Sequence, residues 1–242
     1  TSEDTKINSD YCDLSVFCQN HSIKFLKVRD INANDSINWI KFHDPDVIFC
    51  FGWSRLLNNS LLSIPPLGVI GFHPARLPQN RGRHPLIWAL VLGLDSTAST
   101  FFQMDTEPDN GDIISQVEVE IKYEDDAQSL YDKISHIAQQ QVVEILNMLE
   151  NHSLVQIKQD SIKSNSWRKR TEFDGKIDWR LSSTSIYNLV RALAKPYIGA
   201  HFSFREKNYK VWKCCEIKVN QFSNIEPGKL LDYNDGRPII KC

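Results

Sequence analysis

The densest collection of reactive side chains in the chain is Gly71-Phe72-His73-Pro74-Ala75-Arg76-Leu77-Pro78-Gln79-Asn80-Arg81-Gly82-Arg83-His84-Pro85. A histidine titrates near neutral pH, so His73 is a group that can take or give a proton. Three arginines beside it offer charge to a small anionic substrate, and the prolines stiffen the loop, which suits a site that must hold its geometry. Taken alone, the same residues also describe a strand-ending histidine beside solvated arginines. A second cluster, Asp105-Thr106-Glu107-Pro108-Asp109-Asn110-Gly111-Asp112, carries four acids. Their spacing does not match a calcium-binding EF-hand loop, and by itself the segment reads as a solvated turn.

The elements that position these clusters alternate. Ser22–Val28 reads as a strand, and Asp35 or Ser36 caps a helix ended by Asp44-Pro45. Asp46–Phe51 is a continuous apolar run, the pattern of a strand buried on both faces of a parallel sheet. A helix over Leu56–Leu62 and a strand over Gly68–Phe72 follow, then the loop 73–83 and a helix opened by Pro85. Thr97–Gln103 and Ile113–Ile121 read as strands around the acidic loop, and Asp125–Glu150 as an amphipathic helix burying Leu130, Ile134, Ile137, Val142, Ile145 and Leu149. This β-α-β-α-β order implies an α/β fold, an open, mostly parallel sheet flanked by helices. Ligands of such sheets bind beyond the carboxyl ends of the strands, where the loop from His73 begins. The expected catalytic domain is 1–155. The polar, basic stretch Lys158–Arg170 reads as a linker in 156–242, ahead of a small α+β C-terminal region. That region has a helix over Ser182–Lys195, strands near Gly199–Phe204 and Tyr209–Val219, and a hairpin turn at Asn234-Asp235-Gly236. A sheet of this kind usually opens with a strand-helix-strand unit, so one is expected ahead of Thr1.

The chain has 242 residues with 28 basic and 30 acidic side chains, a balance that argues against a broad nucleic-acid-binding face. No run of about 20 apolar residues is present to span a bilayer, so no membrane partner is expected. The six cysteines form no CxxC pair, and Cys214 and Cys215 are adjacent, a poor disulfide framework; reduced thiols in a cytoplasmic protein are the expectation. The absence of GxGxxG argues against a nicotinamide-dependent enzyme.

Taken together, the two clusters resemble a known family. His-Pro-x-x-Leu-Pro-x-x-Arg-Gly-Arg at 73–83, then Met-Asp-x-x-x-Asp-x-Gly-Asp at 104–112, is similar to the catalytic core of the folate-dependent formyltransferases. That family includes methionyl-tRNA formyltransferases and sugar-nucleotide N-formyltransferases. Further matches follow in the family's order: Asp174-Gly175-Lys176-Ile177-Asp178-Trp179, Leu189-Val190-Arg191-Ala192, Pro196-Tyr197-Ile198-Gly199-Ala200 and Val211-Trp212-Lys213. The resemblance implies a Rossmann-like sheet and the transfer of a formyl group from 10-formyltetrahydrofolate to a primary amine, with no metal. It makes His73 the proton-transfer group and Asp109 the carboxylate that favours its protonated form and fixes its orientation.

One position departs from the family, whose asparagine two residues before the histidine is Gly71 here. Losing such an oxyanion donor typically costs about 10²–10³ in rate. Asn80 or a backbone N–H can replace it, and the glycine leaves space for a water or a bulkier substrate. The resemblance further implies folate contacts at Arg55, Leu56, Leu57, Arg83, Asp105, Thr106, Glu107, Pro108 and Asp109, with Trp53 as pterin wall or core residue. Substrate contacts are implied at Arg81 and Tyr197.

Arg81-Gly82-Arg83-His84-Pro85 and the Pro196–Ala200 stretch favour the sugar-nucleotide branch. So does the stretch from 214 to 242, which includes the acids Glu216, Glu226, Asp232 and Asp235, where a tRNA-binding surface would be basic. The expected acceptor is an amine on a nucleotide-linked sugar, as in lipopolysaccharide or O-antigen assembly, and a homodimer fits that branch. The alternatives are a methionyl-tRNA formyltransferase-like enzyme, or a weakened formyltransferase fold serving as a binding module because of Gly71.

Overall fold

The computed structural model of the chain describes residues 12–53, 55–218 and 224–242. Helices α1 (Ser15–Asn20) and α2 (Asn34–Phe42) lead to strand β1 (Ile48–Cys50), the single turn α3 (Asn59–Leu62) and strand β2 (Val69–His73). The two-residue strand β3 (Arg81–Gly82) precedes α4 (Pro85–Val91). Strands β4 (Ser96–Gln103) and β5 (Ile113–Glu120) run into the long helix α5 (Ala127–Glu150). Strand β6 (Ser166–Trp167), helix α6 (Ser183–Ala192) and two hairpins follow. The hairpins are β7 (Ala200–Phe204) with β8 (Lys207–Val211), and β9 (Leu230–Asn234) with β10 (Arg237–Ile240).

The fold is α/β, a sheet flanked by helices with a small C-terminal β region, and the sheet order is β1-β2-β4-β5. Its pairing corrects the expected strand directions. β1 and β2 are parallel, but β4 runs antiparallel to both β2 and β5, so the described sheet is mixed. For β4 and β5 the reason is the connection: the loop 104–112 is too short for the crossover of a dozen or more residues that a parallel pair needs. β1, expected in the sheet's interior, lies at the edge among the described residues and is only half-buried. Residues 22–28 form no strand: this largely exposed segment has no neighbouring strand among the described residues to supply a ladder. The helix expected from Leu56 starts only at Asn59, because the Asn58 side chain caps it, accepting from Leu61 N at 2.9 Å. β8 stops at Val211, and the end of its expected run, residue 219, lies outside the described residues.

α5 matches its expected span. Asp126 caps it, accepting from Gln128 N and Ser129 N, and the turn at its start buries Ala127 and Leu130. One core cluster joins Leu86, Leu90, Val119, Leu130 and Ile134 to Ile177, Ile186, Leu189, Val190 and Ala200. α6 therefore packs its apolar stripe on α4, and the C-terminal region shares a core with the sheet. Asp235 and Gly236 both take positive φ, the backbone that a two-residue hairpin loop between β9 and β10 requires.

Candidate active site

Strand period sets which side chains meet. His73, the last residue of β2, shares a face with Gly71, while Phe72 points to the other. Across the ladder, Thr100 lies opposite His73 and Phe102 opposite Gly71. The loop leaving His73 is tied to the sheet through its carbonyls. Thr100 Oγ1 donates to Ala75 O (2.6 Å), and Gln116 Nε2 donates to Leu77 O (3.0 Å). At Asn80 the chain turns with φ 64°, a left-handed conformation that asparagine tolerates better than most residues. The turn brings Asn80 O to 2.7 Å from His73 Nε2. A carbonyl oxygen only accepts, so Nε2 carries a proton and donates it. The ring is 5% exposed.

The other ring nitrogen faces Asp109, whose Oδ1 is 3.7 Å from His73 Nδ1. Asp109 Oδ2 accepts from Gly82 N at 2.9 Å, so one carboxylate ties the acidic loop to β3. Gly82 has φ 101°, and a Cβ there would stand 2.2 Å from Trp167 O; only glycine fits. The acidic loop is internally organised rather than a simple solvated turn: Asp105 accepts from Glu107 N (2.8 Å) and Asn110 Nδ2 (3.3 Å). Thr106, Glu107 and Pro108 are left exposed.

The remaining candidates divide. Arg83 is exposed two residues past Arg81, and its N–H donates to Trp167 O (3.0 Å). Arg81 sends Nε and Nη2 to Gln159 Oε1. Arg55 donates to Arg29 O (2.8 Å), and Leu56 is exposed with its carbonyl accepting from Asn32 Nδ2 (3.0 Å). Leu57, 6% exposed, packs into the core with Leu61 and Val69, so any ligand contact from it runs through its backbone. Trp53 packs against that same cluster, and its Nε1 is buried without a hydrogen-bond partner. Tyr197 is half-buried against the core shared by α4 and α6. Among the described residues, no group of three or more His, Cys, Asp or Glu is placed to hold a metal ion, and no helix is long and apolar enough to cross a membrane.

The sequence matches the formyl transferase family over residues 5–146 and the formyl transferase C-terminal domain over residues 169–242. The chain belongs to the formyl transferase family. It is 34% identical to the bifunctional polymyxin resistance protein ArnA of Wigglesworthia glossinidia brevipalpis, over 92% of this chain and 33% of that protein. The chain thus spans about a third of that relative's length. It is 32% identical to the methionyl-tRNA formyltransferase of Caldanaerobacter subterraneus subsp. tengcongensis, over 91% of this chain and 70% of that one. A 4-N formyltransferase from Francisella tularensis shares the fold, with TM-score 0.70 at 23% identity over 84% of this chain and 83% of that one.

The space beside Gly71 is filled, which corrects the expectation of room for water or a larger substrate. A Cβ at Gly71 would stand 2.7 Å from Met104 Cγ and 3.0 Å from two ring carbons of Phe102. Phe102 lies there because it is Gly71's cross-strand partner, and cross-strand side chains share a face. The backbone N–H of Asn80 is also engaged, donating to Asn165 Oδ1 at 2.9 Å.

Two neighbouring groups are kept neutral. Burial, together with Arg83, Lys169 and Arg170, lowers the His84 pKa, and its Nδ1 accepts from Arg170 N (3.3 Å). Burial pushes the Cys50 thiol up to about 11, which leaves it protonated at neutral pH.

Sequence reasoning missed Thr100 and Gln116, which hold the loop's carbonyls, and Phe102 and Met104, which fill the glycine's space. It also missed residues 159–167, which pair with β3 instead of serving as a bare linker. Of these only Met104 lies on a motif, and each acts through a contact between segments far apart in sequence.

Proposed function

We propose that this formyl transferase moves a formyl group from 10-formyltetrahydrofolate to the primary amine of a nucleotide-linked amino sugar. The observation that carries the reading is the pairing of His73 Nδ1 with the Asp109 carboxylate at the carboxyl end of β2, beside Arg81 and Arg83. In the proposed step the amine nitrogen attacks the formyl carbon and a new C–N bond forms. His73 Nδ1 receives the amine's proton while Nε2 keeps its own on Asn80 O. The bond from the formyl carbon to the folate nitrogen breaks, and that nitrogen leaves with the proton Nδ1 returns. Asp109 steadies the ring while it carries both protons. The side-chain amide of Asn80 is the proposed donor to the oxyanion, since its backbone N–H is already committed to Asn165.

The folate surface proposed here consists of Arg55, the backbone of Leu56 and Leu57, Arg83 and the loop Asp105–Asp109. The exposed Thr106, Glu107 and Pro108 suit a planar heterocycle read by backbone groups. Arg81 and Tyr197 are assigned to the acceptor, guanidinium groups being matched to a diphosphate. Residues 1–155 are assigned to the catalytic domain and 156–242 to the linker and the small C-terminal region, in the cytoplasm. The test is incubation of the full chain with 10-formyltetrahydrofolate and UDP- or dTDP-linked amino sugars, with methionyl-tRNA in a parallel arm, reading formylated product by mass. Product in a sugar arm is expected. Product only from methionyl-tRNA, or folate binding with no product in any arm, overturns the assignment.

A further inference from the structure

Residues 157–167 fall between the two family matches, which end at 146 and resume at 169. The segment nevertheless touches both loops of the site. Ile157 exchanges two backbone hydrogen bonds with Ile113, each 2.8 Å, just past the acidic loop. Asn165 Oδ1 accepts from Asn80 N and Asn165 O from Arg81 N, and Ser166–Trp167 pairs with Arg81–Gly82. Between these anchors sits the buried Gln159. Its Nε2 donates to Asp109 O (2.9 Å) and Gly111 O (2.7 Å), while its Oε1 accepts from Arg81 Nε (3.2 Å) and Nη2 (2.7 Å).

A side-chain amide has two N–H donors and two lone pairs on oxygen, and here all four are used. The amide's orientation is also forced. Turned over, it would set its oxygen against two carbonyls and its NH₂ against a guanidinium. A buried amide satisfied in this way fixes what it touches, because moving either partner leaves a polar group unpaired.

We infer that Gln159 is a positioning residue. It holds the backbone of Asp109 so that the carboxylate meets His73 Nδ1, and with the same amide it holds Arg81. One side chain thereby sets the distance between the proton-transfer pair and the arginine beside it. The inference rests on the roles proposed above for His73 and Asp109, and its test also includes a measurement that needs no turnover.

The first measurement is hydrogen exchange followed by mass spectrometry on the full chain, comparing the parent with Gln159→Met, which keeps the volume and removes both polar ends. Exchange in peptides covering 105–112 and 79–83 should accelerate at least about tenfold, with α5 and β4 unchanged. Unchanged exchange in both loops overturns the inference, whatever the turnover. The second measurement is kinetic, with 10-formyltetrahydrofolate and the acceptor that the sugar-nucleotide panel identifies. Gln159→Met should lower kcat more than about tenfold while KM for the folate moves less than about twofold. In an Asp109→Asn background the same change should cost less than about threefold, since the two residues act on one function. A full loss in that background assigns Gln159 to something other than Asp109 and overturns the inference. Gln159→Glu keeps the acceptor for Arg81 but removes the N–H groups from the two carbonyls. It should lower kcat as Met does, and parental kcat overturns the inference even if the methionine variant misfolds. Should the parent formylate no acceptor, the proposed function fails, and the exchange data alone decide the inference.

Discussion

His73 Nε2 sits 2.7 Å from the carbonyl oxygen of Asn80, and this contact decides which ring nitrogen faces Asp109. The carbonyl can only accept, so the proton on Nε2 is committed and Nδ1 is the nitrogen left to exchange protons. The loop that supplies Asn80 thus does for His73 what a buried carboxylate does in other histidine sites: it fixes the tautomer.

The first prediction follows from that division of labour. His73→Asn should cut turnover by about 10²–10⁴, the usual contribution of a positioned acid or base, with folate affinity within about twofold. Asp109→Asn keeps the acceptor for Gly82 N but removes the charge beside Nδ1, so it should lower kcat. Stopped assays, with binding of 5-formyltetrahydrofolate measured separately, check both. Near-parental turnover in either variant sinks the pairing.

Asn80 serves through its backbone whatever its side chain does, and the second prediction separates the two. Asn80→Gly preserves the positive φ and the carbonyl for His73 but deletes the amide; Asn80→Ala deletes the amide and also strains the turn. If the amide stabilises the oxyanion, both variants should lose more than about tenfold in kcat, roughly 2–4 kcal/mol if it is the sole donor. If only Asn80→Ala loses activity, the residue matters for its backbone shape, and the donor role is refuted.

The third prediction concerns pH and stability. Folded His84 has a lowered pKa, while in the unfolded chain it returns to about 6.5. Above that value both states are neutral and the full stability is present. As pH falls below it, the unfolded chain binds the proton first, so stability declines until the folded pKa is passed. His84 has φ 57°, which asparagine accepts, and an asparagine oxygen can still accept from Arg170 N. His84→Asn should therefore flatten the fall in Tm between about pH 7.5 and about pH 5.5. Parallel Tm curves for the two proteins would remove His84 as a source of the dependence.

The parts legible in the sequence were those written in local pattern. Pro85 opening a helix, the apolar stripe of α5 and the turn at Asp235-Gly236 depend on neighbours within a few residues, and each stands where the pattern put it. His73 at a strand's carboxyl end beside Asp109 was legible through the motif pair. Strand direction was not, because nothing along β4 says whether its partner runs with it or against it. The clamp at 159–167 was equally hidden, since a polar segment that hydrogen-bonds two distant loops has the composition of a linker.

The last prediction concerns Gly71, where this chain departs from its family. Restoring the amide appears simple on paper, but the position is occupied. A Cβ would stand 2.7 Å from Met104 Cγ and 3.0 Å from the Phe102 ring, and Phe102 is buried with little freedom to withdraw. Gly71→Asn should therefore destabilise by about 1–3 kcal/mol, the usual cost of overpacking. That corresponds to a Tm lower by about 2–10 °C for a chain of this size, with no gain in rate. Gly71→Ala isolates the packing effect, because it adds the same Cβ without an amide, and it should lose a comparable part of that stability. Removing the nearest obstacle in Gly71→Asn/Met104→Ala should give a smaller loss than the two single changes summed, because the cavity and the added side chain occupy one space. If Gly71→Ala is as stable as the parent, Met104 yields freely and the glycine is not held in place by packing. If Gly71→Asn alone raises kcat, the filled space is not the reason this chain does without the asparagine.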